Sequence, residues 1–483
     1  MATDESSPPG QGHLSPAARL FHSPRFNCHI IAIMGCKTSI NPDVVKDGLK
    51  QTLLKHPRFS SKLLSNEKRK WVQTTVNLEN HVVVPNLDTE IESPDQYIDD
   101  YISHMTTTPL DLSKPLWELH LLNVKTSYAE AVGVFRIHHS LGDGASLMSL
   151  LIACTRKTSD PEALPTVPTL KRAGSSRSSL FWWLLCFIWS VLVLVWNTFV
   201  DIMMFVATTL FLKDTKTPIK GAPGVELATK LFVHRTVSLD HIKLIKNAMN
   251  TTINDVVLGV TQAGLTQYLN RRYGQNQKEG GPNQKRNNLP KSIRLRAAIL
   301  VNLRPIVGIQ DLAEMMAKGS KTRWGNWIGY LLLPLNNIAL EDDPLNYVRG
   351  GKATSDRKKH SLEAICTFTT AKLVLKTLGV KVAAAIAHRV LSNTTMAFSN
   401  MVGPLEDVSF YGHPITLIAP SVYGHPHALT VHYQSYVEKM TIVLAVDPSV
   451  IPDPHQLLDD LEDSLKLIRD AAVKIELTPH EAV

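Results

Sequence analysis

The stretch FRIHHSLGDGASLMSLL, Phe135 to Leu151, decides how this chain is read. It follows the run AVGV, in which Val132 and Val134 alternate with Gly133, Phe135 and Ile137, so a strand is predicted to end at the histidines. Ala145 to Cys154 reads as a helix. Between them lie His138, His139, Gly142, Asp143 and Gly144. Strand, tight turn and helix follow in succession. Two readings fit the turn. In one, Asp143 is an ordinary helix N-cap, the glycines are turn formers and the histidines are satisfied side chains. In the other, a histidine held at a strand end takes a proton near neutral pH, and Asp143 braces the turn that holds it.

The surroundings are mixed. Upstream, Val44, Val45, Leu49, Leu53 and Leu54 recur at helical spacing before Pro57, and WELHLLNV reads as a strand. Downstream, RKTSDPEALPTVPTLKRAGSSRSS has linker composition. Beyond it LFVHRTVSL is strand-like, Ile253 to Leu269 is helical, and RAAILVNLRP is a strand stopped by Pro305. Thr394 to Ser399 and Ile415 to Ala419 are further strands, and LTVHYQSY with KMTIVLAVD suggests a hairpin. Leu458, Leu461, Leu465, Ile468 and Ala472 mark a final amphipathic helix. This order predicts an α/β chain with mixed sheets. The expected divisions are a disordered lead over 1–13, one domain over 14–178, an apolar membrane segment over 179–213 and a second domain over 214–483. A flexible polar insert is expected over 271–293.

Composition narrows the partners. The 483 residues are 44% hydrophobic and 19% charged, with a formal net charge of +8, which favours anionic partners such as a membrane surface or a phosphorylated ligand. There is no zinc-finger spacing and no basic block interleaved with aromatics, so nucleic acid is not expected. Cys28, Cys36, Cys154, Cys186 and Cys366 are odd in number and scattered, with no disulfide framework or metal spacing, which suits a reducing, cytosol-facing location. The first residues, MATDESSPPGQGHLSP, lack the apolar core of a secretory signal. No GxSxG elbow or cysteine-nucleophile motif is present, which argues for direct transfer to an acceptor rather than a covalent acyl-enzyme.

Leu180 to Leu212 carries one charge, Asp201, and includes Trp182, Trp183, Trp189 and Trp196. As a helix it would run about 50 Å, longer than a bilayer core requires. Lys171, Arg172 and Arg177 precede it, and Lys213, Lys216 and Lys220 follow.

HHSLGDG, His138 to Gly144, resembles the active-site motif of the CoA-dependent acyltransferase superfamily. PLDLSKPLWEL (Pro109 to Leu119), TTINDVVLGV (Thr251 to Val260), VNLRP (Val301 to Pro305), WGNWIGYLLLPL (Trp324 to Leu335) and SNMVGP (Ser399 to Pro404) resemble, in order, blocks of the wax ester synthase/diacylglycerol acyltransferase family, plant branch. The Asp-Phe-Gly-Trp-Gly block of the related natural-product acyltransferases is absent, and Leu258-Gly259 stands where many relatives have Leu-Ala.

The resemblance implies two chloramphenicol-acetyltransferase-like domains with mixed sheets, joined by a linker carrying the apolar segment, with a tunnel between them. It implies that His139 is the general base and that Asp143 holds the loop, with His138 as a further support. Asn254 becomes a candidate oxyanion donor, the alternative being an N-cap or a buried hydrogen-bonding residue. Arg304 is a candidate partner for a carboxylate, or a structural strand-end arginine. Acyl-CoA is implied as co-substrate, with no resident cofactor and no metal. The implied acceptor is a long-chain alcohol or diacylglycerol, giving wax ester or triacylglycerol. The alternatives are transfer to another alcohol or amine, and an inactive membrane-anchored lipid-binding protein. The implied location is the endoplasmic reticulum membrane with both catalytic domains facing the cytosol, the plasma membrane being the other choice.

A shared tunnel constrains the apolar segment. A single crossing would put His139 and Asn254 on opposite sides of the membrane. The segment is therefore expected to turn back as a shallow hairpin near Asn197-Thr198 or to lie in the interface, in contact with membrane lipid. A single-span anchor is the simpler alternative.

Overall fold

The computed structural model describes residues 12–64, 70–86, 91–168, 180–275, 287–304, 324–336 and 338–477. Two large mixed sheets dominate. The first has seven strands in the order Val82–Val83, Trp117–Leu122, Ala131–His138, His29–Cys36, His413–Tyr423, Val408–Phe410, Thr155–Lys157. The strand leading into the histidine turn sits inside this sheet, pairing antiparallel with Trp117–Leu122 on one side and His29–Cys36 on the other. All eight of its residues are buried, because both faces are covered, so the alternation in the sequence does not produce a wet face.

The second sheet has six strands, ordered Ile328–Pro334, Arg296–Asn302, Met396–Met401, Leu429–Tyr436, Lys439–Val446, Leu231–Ser238. Its pairs around Met396–Met401 are parallel, and the expected hairpin is Leu429–Tyr436 against Lys439–Val446. A continuous core joins the sheets: Ile31, Ile33, Val132 and Val134 of the first meet Phe232, Val443 and Ala445 of the second. Burying each of the larger side chains contributes about 1.5–3 kcal/mol, so the halves are strongly held together.

The expected domain limits need correction. His413–Tyr423 lies far beyond residue 214, yet it pairs along the length of His29–Cys36 in the first sheet. Val408–Phe410 likewise pairs with Thr155–Lys157. The second stretch of chain therefore completes the first sheet. The lead overlaps the fold at its end, since Gly12–His13 pairs with Lys70–Gln73, while residues 1–11 lie outside the described residues. The polar insert also starts later than expected: the helix Ile253–Gln275 runs through the first residues of 271–293, and 276–286 lie outside the described residues.

The apolar segment forms one uninterrupted helix, Leu180–Leu210, long and apolar enough to cross a membrane. The hairpin expected at Asn197-Thr198 does not form. These polar residues dock the helix instead of breaking it: Thr198 donates to Leu194 O at 2.6 Å and accepts from Leu362 N at 2.9 Å, and Asn197 Nδ2 donates to Arg357 O at 3.4 Å. A span that would part the two halves does not fit the contacts on either flank of the helix. Before the helix, Thr166 N donates to Glu406 Oε2 at 2.9 Å; after it, Asp214 N donates to Asn393 O at 2.9 Å. Both flanks are thus fastened to the same folded body.

One close approach fixes the helix Glu363–Thr377 against the strand Ile328–Pro334. A Cβ on Gly329 would overlap the carbonyl of Ala364, a backbone group that cannot swing aside. Gly→Ala ordinarily stabilises by limiting the unfolded chain where space allows. Here Gly329→Ala is expected to destabilise by about 1–3 kcal/mol, read as a lower Tm of the purified chain.

Candidate active site

The turn after the strand is held from several directions. His139 N donates to Cys28 O at 2.9 Å, and Leu141 N donates to His138 O at 3.0 Å. His138 is fully engaged: Nδ1 contacts Ser140 Oγ at 2.7 Å and Nε2 contacts Asn27 Oδ1 at 2.9 Å, with the His22 ring stacked at 4.1 Å. Burial, reinforced by His22 and His29, pushes its pKa well below the ordinary imidazole value.

His139 has a different environment. Its ring stacks on Phe21 at 4.3 Å and lines a large cavity. Nδ1 has no hydrogen-bond partner among the described residues, while the backbone oxygen accepts from Asn326 Nδ2 at 3.0 Å. Burial lowers the imidazole pKa, and its own carbonyl, Asp143 and Asn326 oppose that shift. The net direction favours the neutral imidazole.

Asp143 both caps the helix and braces the turn. One carboxylate oxygen accepts from Ser146 N at 3.0 Å and caps the helix Gly144–Cys154. The other accepts from Trp327 N at 3.0 Å and from Arg304 at 2.8 Å. Arg304 also donates to Asn302 Oδ1 at 3.0 Å, to Ser146 Oγ at 2.8 Å and to Gly325 O. The carboxylate that Arg304 meets is therefore Asp143, from the other half of the chain. Trp324 closes the turn from outside, donating to Leu141 O at 2.5 Å and packing against Gly142.

Asn254 lines the same cavity and accepts from Asn400 Nδ2 at 2.6 Å. It is not the helix cap. Thr252 does that work: its Oγ1 accepts from Asp255 N at 3.3 Å, and the Asp255 carboxylate reaches back to accept from Thr252 N at 3.0 Å and from Thr251 Oγ1 at 2.7 Å. The cavity encloses about 780 Å³ between the halves, with Leu150 and Leu151 on one side and Ala298 and Leu331 on the other. Its volume and aliphatic lining suit a long acyl or alkyl chain. Among the described residues no group of three His, Cys, Asp or Glu side chains could hold a metal ion.

Asn326, Trp327 and Ser146 escaped the reading of the sequence as site residues. Asn326 and Trp327 sit in the quoted WGNWIGY block, but nothing local shows that they reach across to His139 and Asp143.

Two outcomes are expected. Arg304→Met leaves the buried Asp143 carboxylate without its cation and should cost about 3–5 kcal/mol in chemical denaturation. Acid should also loosen the fold through its buried histidines. Burial lowers His29 to about 4 and, with Lys230 and His139 nearby, lowers His425 to about 3. Unfolded, both take protons at the ordinary value of 6.5. Their folded forms are the poorer proton binders, so stability is full above pH 6.5 and falls as pH drops toward 4 and then 3. Tm measured across that window tests the sign.

Residues 29–257 match the family described as Wax ester synthase/diacylglycerol acyltransferase catalytic domain, and residues 324–469 match the WS/DGAT C-terminal domain. Wax ester synthase/diacylglycerol acyltransferase 5 of Arabidopsis thaliana is 59% identical over 476 residues, covering 94% of this chain and 93% of its own. Wax ester synthase/diacylglycerol acyltransferase 6 of the same plant is 57% identical over 492 residues, covering 97% and 95%. Among solved structures, the wax ester synthase/diacylglycerol acyltransferase from Marinobacter aquaeolei VT8 shares the fold at TM-score 0.58 and 17% identity, covering 96% of this chain and all of its own. The starter condensation domain of rhizomide synthetase shares it at TM-score 0.53 and 13% identity, covering 96% and 95%. With its two mixed sheets and its histidine turn at a shared cavity, the chain belongs to the wax ester synthase/diacylglycerol acyltransferase family of O-acyltransferases.

Proposed function

We propose that the chain transfers an acyl group from acyl-CoA to a long-chain alcohol or diacylglycerol, with His139 as general base and no covalent acyl-enzyme. The observation that carries this reading is a buried, neutral-leaning imidazole at the wall of an aliphatic cavity of about 780 Å³. His139 takes the proton of the acceptor hydroxyl as its oxygen bonds to the thioester carbonyl carbon. The carbon–sulfur bond of the tetrahedral intermediate then breaks, and the imidazolium returns the proton to the departing CoA sulfur. Asn254 is the proposed donor to the oxyanion, its amide lying on the cavity wall beside Asn400.

Asp143 and His138 are positioning residues in this reading. The first ties the helix cap to Arg304, and the second has both ring nitrogens engaged in holding the strand end. Membrane lipid is the proposed surroundings, on the strength of the apolar helix and the basic balance. The proposed location is the cytosolic face of the endoplasmic reticulum, with both halves on one side of the bilayer.

The test is esterification of fatty alcohol and diacylglycerol by purified protein with labelled acyl-CoA. His139→Ala should lower turnover by about 10²–10⁴. Undiminished acylation by that variant rejects the assigned role, and no ester from the native chain favours an inactive lipid-binding protein. Because burial lowers the His139 pKa, the acid limb of the native rate profile should fall below pH 6.5, with rate lost as pH drops through it.

A further inference from the structure

The cavity reaches the surface beside the apolar helix. Leu300 and Ile365 line it, yet they are 40% and 52% exposed. They therefore form a rim with one side inside and one side out. Lys358 and Ser361 line the same end.

The apolar helix is fastened at that place. Asp201, its only charge, is buried and pairs with Lys358 at 2.9 Å and Arg357 at 2.5 Å. Thr198 of the helix bonds Leu362, three residues before Ile365. The anchoring is costly to arrange, since a charge in an apolar helix is stable only when paired.

The surface near the rim is apolar and cationic. On the helices Glu363–Thr377 and Gly379–Ser392, Leu373 and Val382 are exposed, as is Leu378 between them. Between Ala364 and Ser392 there is no Asp or Glu, while Lys372, Lys376, Lys381 and Arg389 are present. Aliphatic side chains interleaved with cations, next to a helix exposing Trp189, Trp196 and Phe199, fit the anionic headgroups and upper acyl region of a bilayer.

We propose that this face seats on an anionic lipid bilayer and that the rim at Leu300 and Ile365 is a lateral entrance through which the lipid acceptor passes from the leaflet to His139. This deepens the acyltransferase reading and rests on it. The helix Leu180–Leu210 then acts as a depth stop, with the Asp201 pairs holding the entrance at the level of the headgroups. A water-soluble alcohol has no need of the entrance, which separates the two claims experimentally.

The experiment uses the full chain, acyl-CoA, and vesicles of phosphatidylcholine with or without phosphatidylserine. Hexadecanol in the bilayer and hexanol in solution serve as acceptors. Ile365→Glu places a charge on the rim and should lower the hexadecanol-to-hexanol rate ratio by about tenfold, with vesicle binding kept. Leu300→Glu on the opposite side should do the same, so a folding failure in one variant leaves the other as the test. The double variant Leu373→Glu/Leu378→Glu, outside the cavity, should reduce co-sedimentation with phosphatidylserine vesicles and the hexadecanol rate, leaving hexanol esterification within about twofold. An unchanged rate ratio in folded rim variants overturns the entrance, and unchanged vesicle binding in the double variant overturns the seating. Active hexanol esterification alongside either failure leaves the acyltransferase reading intact; no ester from either alcohol in the native chain removes the reading and the entrance together.

Discussion

The pair between Asp143 and Arg304 is the constraint on which the rest depends. It joins residues that are far apart in the chain, at 2.8 Å, with side chains only 3% and 1% exposed. Two charges so deeply buried are expensive to desolvate, and the arrangement holds because each has further partners. Asp143 receives Ser146 N and Trp327 N; Arg304 reaches Asn302, Ser146 and Gly325. The helix cap, the histidine turn and the strand entrance from the other half are therefore set by one network. That network ties the two sheets together beside the cavity, which Asp143 itself lines.

The same principle governs the apolar helix. Its one charge is buried against Arg357 and Lys358, and its polar residues Asn197 and Thr198 face the protein. Nearer the end, Thr208 is buried beside Arg296 and Asn393, and Arg389 holds the carbonyls of Thr209 and Leu210 at 2.5 and 2.6 Å. Asn197, Thr198, Asp201 and Thr208 all serve to dock the later half. The earlier half carries no charge and exposes Trp182, Trp183 and Trp189.

What could be read from the sequence follows from distance along the chain. The strand, turn and helix around HHSLGDG were legible because periodicity and capping are local signals, and the structure has Ala131–His138 and Gly144–Cys154 where they were expected. The partners of the turn were not. Trp327 and Asn326 meet Asp143 and His139 only after the second sheet has formed, and an asparagine in an apolar block has no local mark of that contact. The insertion of His413–Tyr423 beside His29–Cys36 was hidden for the same reason. The hairpin was misread because a polar pair inside an apolar run looks the same whether it turns the chain or docks it. Asn197 and Thr198 dock.

The fastening of Thr166 to Glu406 before the helix, and of Asp214 to Asn393 after it, has a modular consequence. The helix contributes no strand to either sheet, and the chain leaves and rejoins one body. It is an excursion from the fold and takes no place in the strand order. Its outer half could be lengthened or shortened without disturbing the order of strands, so the reach of the helix and the build of the sheets are set independently.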